Sequence, residues 1–183
     1  PYLLVDIVYN IDFKKLDKIA LELGFSVDNS KRVESGVKYA LSKISINGHS
    51  CVIKENLEKY VMELLSVDVD TIENSIIQLK AKDEIIIENR NDENWIYLKY
   101  FYDAEINIAK KLMMLQNSKN IKKISSFDKE LKKAEKNLSI ELSDMQKQAL
   151  KEVNENNVTV ITGGPGTGKT TIIKTIIDLY KNH

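Results

Sequence analysis

The chain has 183 residues, 43% hydrophobic and 30% charged, enough for one ordinary domain or two small ones with a packed core. Lys plus Arg and Asp plus Glu both number 27, so the formal net charge is zero, which excludes a uniformly basic nucleic-acid coat and an acidic disordered tail. Cys51 is the single cysteine, which excludes an intrachain disulfide and a zinc site of paired cysteines, points to a reducing, cytoplasmic compartment, and accompanies a sequence with no apolar run near the ~18 residues of a membrane span.

In chain order, residues 12–23 place Leu16, Ile19, Ala20 and Leu23 on one helical face, and Gly24 supplies a stop. A second helix is expected over 30–46, ended by Asn47-Gly48, and a short apolar stretch follows at 51–53. Helices are expected at 54–65, carrying Leu57, Val61, Leu64 and Leu65, and up to Ala81, capped by Asp68 or Asp70. The period then changes to two: residues 84–88 read as a strand, 89–94 as a polar turn, and 95–101 as a second strand with Trp95, Tyr97 and Phe101. Helix, short strand, helix, helix, hairpin is the order of a winged helix. A helix is expected over 103–116 with Ile106, Ala109, Leu112, Met113 and Leu115 facing inward, then a partly helical connector, a helix at 142–154, an apolar strand at 158–162 and a helix at 169–180.

Charge is unevenly spread. Residues 1–109 carry 13 basic and 19 acidic side chains, whereas 110–136 hold nine lysines (Lys110, Lys111, Lys119, Lys122, Lys123, Lys129, Lys132, Lys133 and Lys136) against three acids. The acidic block disfavours duplex binding by the helix ending at Ala81, whose exposed candidates are Thr71, Asn74, Ser75, Gln78 and Lys82, and suits a scaffold or protein contact. The lysine segment is either a solvated connector or a track along a DNA backbone. His49 and Cys51 lack partner ligands and read as packing residues.

Four of the seven glycines fall within six positions. Residues 163–170 read Gly-Gly-Pro-Gly-Thr-Gly-Lys-Thr, which matches G-x-x-x-x-G-K-[ST] between an apolar stretch and a helix. Glycines at 163, 166 and 168 permit positive φ, so that successive N–H groups converge on an anion at a helix N-terminus. Gly164, Pro165, Thr167 and Thr171 complete the loop. Lys169 supplies a point charge for the β- and γ-phosphates of ATP, and the Thr170 hydroxyl is the candidate Mg²⁺ ligand. Upstream, Ser143 and Gln146 fit a capping box. Gln146 also lies 17 residues before Gly163, and its amide can both donate to and accept from an adenine edge. One of these two roles is expected to yield.

The run from Leu142 through Gln146 to Thr171 resembles superfamily 1 DNA helicases, and the Gly-Gly-Pro-Gly-Thr-Gly-Lys-Thr wording resembles the RecD-like branch. Asn10-Ile11-Asp12-Phe13 with Asp17-Lys18-Ile19-Ala20 resembles that branch's helix-hairpin-helix. The resemblance implies ATP-dependent 5′-to-3′ movement along single-stranded DNA in repair or recombination, with Gln146 on adenine, Lys169 on the phosphates and Thr170 on magnesium. Asn10 and Asp12 stand where that family has glycines that approach DNA, so this hairpin is expected to pack instead.

The expected organisation is a helix-hairpin-helix remnant at 1–29, a winged-helix-like domain at 30–102, a lysine-rich helical connector at 103–140 and the start of a P-loop motor domain at 141–183. The fold class is therefore mainly α with a small β-hairpin, followed by the start of an α/β P-loop NTPase domain. Pro1 in place of Met and the missing acidic Mg²⁺ ligand and arginine finger suggest a piece of a longer helicase, inactive alone. The alternatives are a winged-helix adaptor with a regulatory ATP-binding loop, binding DNA or a protein partner, and another P-loop ATPase. A protein partner at the N-terminal region is expected; the oligomeric state is not legible.

Overall fold

The computed structural model describes residues 1–8, 11–119 and 123–181, and of Asp6 the backbone alone. Asn10 of the expected hairpin and Lys122 of the lysine segment lie outside the described residues. The chain divides into two compact units, Pro1–Ile106 and Asn107–His183, each with its own core. Among the described residues it is mainly helical with one small antiparallel sheet.

The first unit opens with the single turn α1 (Leu4–Ile7) and then α2 (Phe13–Glu22). Asp12 caps α2 by accepting from the Lys15 amide at 3.3 Å, and that bond holds its carboxyl below the usual range. α3 (Ser30–Ile46) is capped by Asn29. The strand β1 (Cys51–Ile53) leads into α4 (Lys54–Leu65) and α5 (Val69–Ala81). Asp68 rather than Asp70 caps α5, accepting from the Thr71 amide at 2.7 Å. Ser75 is buried, because it falls between Ile72 and Leu79 on the packed face; the other polar residues of that set are not buried.

β2 (Ile85–Arg90) and β3 (Glu93–Leu98) form a hairpin whose two-residue tip, Asn91-Asp92, takes left-handed backbone at both positions. β1 adds to the far side of β3, giving the order β1-β3-β2. Cys51 pairs with Tyr97 and Ile53 with Trp95, which fixes the register. Strand β3 stops at Leu98, three residues earlier than alternation suggests. Lys99 donates its amide to the Glu84 carbonyl, and from there the chain turns into α6 (Lys99–Gln116).

The core gathers Phe13, Val33, Val37, Leu57, Val61, Ile72, Ile76, Leu79, Ile85 and Ile96, all at or near zero exposure. α3 meets α4 at Gly36, where an added Cβ would lie 2.6 Å from Leu65 Cδ1. A buried ion pair ties the unit together. Arg32 donates to Asp17 from Nε and Nη2, both at 2.8 Å, to the Val27 carbonyl at 2.7 Å and to the Leu65 carbonyl at 3.1 Å. The Tyr2 hydroxyl donates to the same Asp17 at 2.8 Å, and burial with that carboxylate pushes its pKa far above the ordinary phenol value. Arg32 is thereby occupied in structure.

In the second unit α7 (Phe127–Leu138), α8 (Asp144–Glu155) and α9 (Lys169–Tyr180) pack around Leu131, Ala134, Leu142, Leu150, Ile172 and Leu179. Asn154 is a buried hub: its side-chain oxygen accepts from the Ile124 amide at 2.9 Å and from the Tyr180 hydroxyl at 3.2 Å. Two expectations fail. Residues 158–162 form no strand, since no second strand lies beside them among the described residues, and Val160 is 82% exposed. Ile106, Ala109, Leu112, Met113 and Leu115 of α6 do not face a core: all five are exposed, because the pattern of a stripe does not supply a surface to cover it.

Candidate nucleotide-binding site

α8 begins with a complete capping box. Ser143 Oγ accepts from the Gln146 amide at 3.4 Å, and Gln146 Oε1 accepts from the Ser143 amide at 3.0 Å. The other end of the same side chain is also engaged, for Nε2 donates to the Thr167 carbonyl at 3.3 Å. The oxygen of Gln146 serves its helix and the nitrogen reaches the glycine-rich loop. The cap is further held by Glu135, which accepts from the Leu142 amide at 3.0 Å and pairs with Lys147 at 3.4 Å. The amide bond first, then the lysine charge, lower the Glu135 pKa.

The loop's glycines divide by role. Gly166 (φ 76°) and Gly168 (φ 83°) take left-handed backbone, and Gly168 is the residue from which α9 starts. Gly163 does not share that conformation, contrary to the sequence reading. It is required for close approach instead: a Cβ there would sit 2.7 Å from Thr167 Oγ1. A Cβ on Gly168 would lie 2.3 Å from Gln146 Nε2, so the same glycine also admits the glutamine. Thr167 Oγ1 donates to the Gly164 carbonyl at 2.9 Å.

Lys169 folds over this turn, its ammonium donating to the carbonyls of Gly163 at 2.7 Å and Gly164 at 2.6 Å. Thr170 and Pro165 are exposed and Thr171 is half-buried. The carbonyl of Thr171 accepts from the buried Thr175 hydroxyl at 2.9 Å, which stiffens the first turn of α9. No acidic residue stands in that turn. A cleft of about 410 Å³ runs beside the loop, lined among others by Gln146, Ile161, Thr162, Gly163, Thr167 and Lys169. A larger cavity, about 470 Å³, lies in the first unit among Val8, Tyr39, Ile46 and Phe101 and carries none of the loop's chemistry.

Two left-handed glycines, the open N–H groups of a helix start and one ammonium form a donor set suited to an anion. Sequence reasoning brought Gln146, 163–168 and Lys169 together, and the structure groups them. It missed the close fit of Thr167 on Gly163 and the bracing by Glu135. The four-residue spacing to a variable motif position carried no signal for the first, nor did a connector glutamate for the second. Among the described residues no group of three or more His, Cys, Asp or Glu could hold a metal, and no helix is long and apolar enough to cross a membrane.

Comparison with known proteins gives this geometry a context. Residues 1–51 match the family described as the ATP-dependent RecD2 DNA helicase HHH domain, and residues 146–183 match an AAA domain. The pair of matches defines a helicase-related chain. Over 186 residues it is 28% identical to the ATP-dependent RecD2 DNA helicase of Deinococcus radiodurans, covering 96% of this chain and 26% of that protein. Over 170 residues it is 29% identical to the uncharacterized protein MJ1519 of Methanocaldococcus jannaschii, covering 92% of this chain and 12% of that one. The chain therefore spans about a quarter or less of the length of these relatives. These likenesses support a relationship to the RecD-like helicase family.

Proposed function

We propose that the chain serves an ATP-dependent DNA helicase that moves 5′-to-3′ on single-stranded DNA in repair or recombination, and that residues 163–171 are its phosphate loop. The observation that carries this reading is the placement of Lys169 across the turn at the start of α9, with both left-handed glycines beneath it. In this reading the N–H groups of Gly163, Gly164, Gly166, Thr167 and Gly168 and the α9 N-terminus would hold the β-phosphate region, Lys169 would balance the γ-phosphate charge, and the Thr170 hydroxyl would take one Mg²⁺ position. Gln146 meets the adenine edge from the adjoining cleft. ATP would supply free energy through hydrolysis of its β–γ phosphoanhydride bond; the residues here would bind and orient it.

The element order and the β1-β3-β2 sheet of the first unit support a winged-helix reading, and we assign this unit a scaffold or protein-contact role. Its α5 starts with Asp68 and Asp70, and Glu73 pairs with Lys54, so the end a phosphate would approach is acidic. Asp12, engaged as the cap of α2, supports packing rather than DNA contact at the hairpin.

The test is ATP hydrolysis by the full-length protein with and without single-stranded DNA, with Lys169→Ala as control. Strong stimulation by DNA that vanishes in the variant is the expected result. Hydrolysis indifferent to DNA would mean another phosphate-loop ATPase, and none at all would favour a regulatory nucleotide-binding adaptor.

A further inference from the structure

The helix α7 has two unlike faces. Phe127, Leu131, Ala134 and Leu138 point one way, and Leu131 and Ala134 are 6% and 1% exposed in the second core. At about 100° per residue, Lys129, Lys132, Lys133 and Lys136 fall within an arc of about 100° centred opposite that apolar face. All four are exposed. The carboxylates of α7 stay off this stripe: Asp128, Glu130 and Glu135 occupy its flanks. Glu130 reaches Lys133 at 2.7 Å, and Glu135 is held by Lys147 and the Leu142 amide. A merely solvated helix mixes signs on its outer face; this one presents a single sign.

The stripe is also rigidly mounted. α7 packs on α9 through its buried face, and Asn137 Nδ2 donates to Asp178 Oδ2 at 3.2 Å. We propose that the lysine face of α7 binds the phosphodiester backbone of double-stranded DNA; the choice of DNA among polyanions rests on the function proposed above. Duplex is favoured over single strand because the face carries no aromatic side chain, and single-strand sites add base stacking to charge. From Lys129 to Lys136 the stripe runs about 10 Å, against one duplex charge per ~1.7 Å of axis. The contact is independent of base sequence, since lysines meeting phosphates read no base edge.

The experiment is an anisotropy titration of a labelled duplex of about 20 base pairs, and of its single strand, with this chain at salt from about 50 to 200 mM. The test variant combines Lys129→Gln, Lys132→Gln, Lys133→Gln and Lys136→Gln, exposed changes that keep helix propensity. The control removes as many exposed charges from the first unit: Lys14→Gln, Lys18→Gln, Lys31→Gln and Lys80→Gln. About three phosphate contacts predict a log–log salt slope of about −2.7, or roughly 40-fold weaker duplex binding across that range. The α7 variant should lose at least about tenfold at the lowest salt and most of that slope, and the control neither. No duplex binding, an unchanged α7 variant, equal losses in both variants, or a single strand held as tightly as duplex would each overturn the proposal. None of these readouts involves ATP, so the hydrolysis test stands or falls separately.

Discussion

Gln146 and Thr167 are joined across 21 residues of sequence by one hydrogen bond, 3.3 Å from the side-chain nitrogen to the loop carbonyl. The same glutamine closes the capping box through its oxygen. Gln146→Glu separates the two roles, because a glutamate at that helix position still accepts from Ser143 but has no N–H to give. We expect the variant to keep the thermal midpoint of the second unit within a few degrees and to weaken nucleotide binding. Gln146→Ala should lose both side-chain roles, with about 0.5–1.5 kcal/mol of stability gone with the partner of the Ser143 amide, while Ser143 Oγ still accepts from the amide of residue 146. Paired thermal melts and nucleotide titrations decide the matter; equal nucleotide affinity for Glu and Gln would remove the amide from the site.

Gly163 offers a test of fit. Gly163→Ala drives a Cβ toward Thr167 Oγ1, so the loop must shift and nucleotide affinity should fall by tenfold or more, about 1.4 kcal/mol or above. Adding Thr167→Ala removes the colliding hydroxyl and should restore much of the loss. A double variant no better than Gly163→Ala would show that conformational freedom, not space, is what Gly163 provides.

The Arg32–Asp17 pair makes the first unit sensitive to loss of either partner. Arg32→Met abandons Asp17 and the carbonyls of Val27 and Leu65 in the interior, at a cost of about 3–5 kcal/mol. Urea unfolding should show that loss, while a double change of Asp17 and Arg32 to apolar residues should recover part of it. A cost under about 1 kcal/mol for the single variant would mean that water reaches the site.

Glu135 links stability to acid. Its folded pKa lies below the ordinary 4.5, so near that pH the unfolded chain binds more protons than the folded one. Its contribution is therefore present above pH 4.5 and is lost as pH falls through the lowered folded value. Glu135→Gln should flatten that part of the profile. Thermal midpoints of parent and variant from about pH 6 to about pH 3 measure it, and parallel curves would assign the acid sensitivity elsewhere.

Most helices were readable because their ends are chemical. Asp68 and Ser143 cap where their side chains predict, and Gly168 starts α9 by its left-handed backbone. The strand β3 was read too long because Tyr97 and Phe101 alternate, while its end is set by Glu84, the partner that receives the Lys99 amide. Residues 158–162 have strand composition, but a strand exists only beside another. α7 was hidden in a lysine-rich segment, since Leu131 and Ala134 gain meaning only once α9 lies against them. Within the site the motif located Lys169, but not that Gln146 would serve helix and loop at once.

The separateness of the two cores has a consequence for synthesis. Every residue of the first core lies between Tyr2 and Leu98, and its ion pair joins positions 17 and 32. As the chain leaves the ribosome N-terminus first, that unit can finish folding several seconds before Gly163 is translated. A nascent chain stalled between the two is therefore expected to carry a first unit that already resists protease.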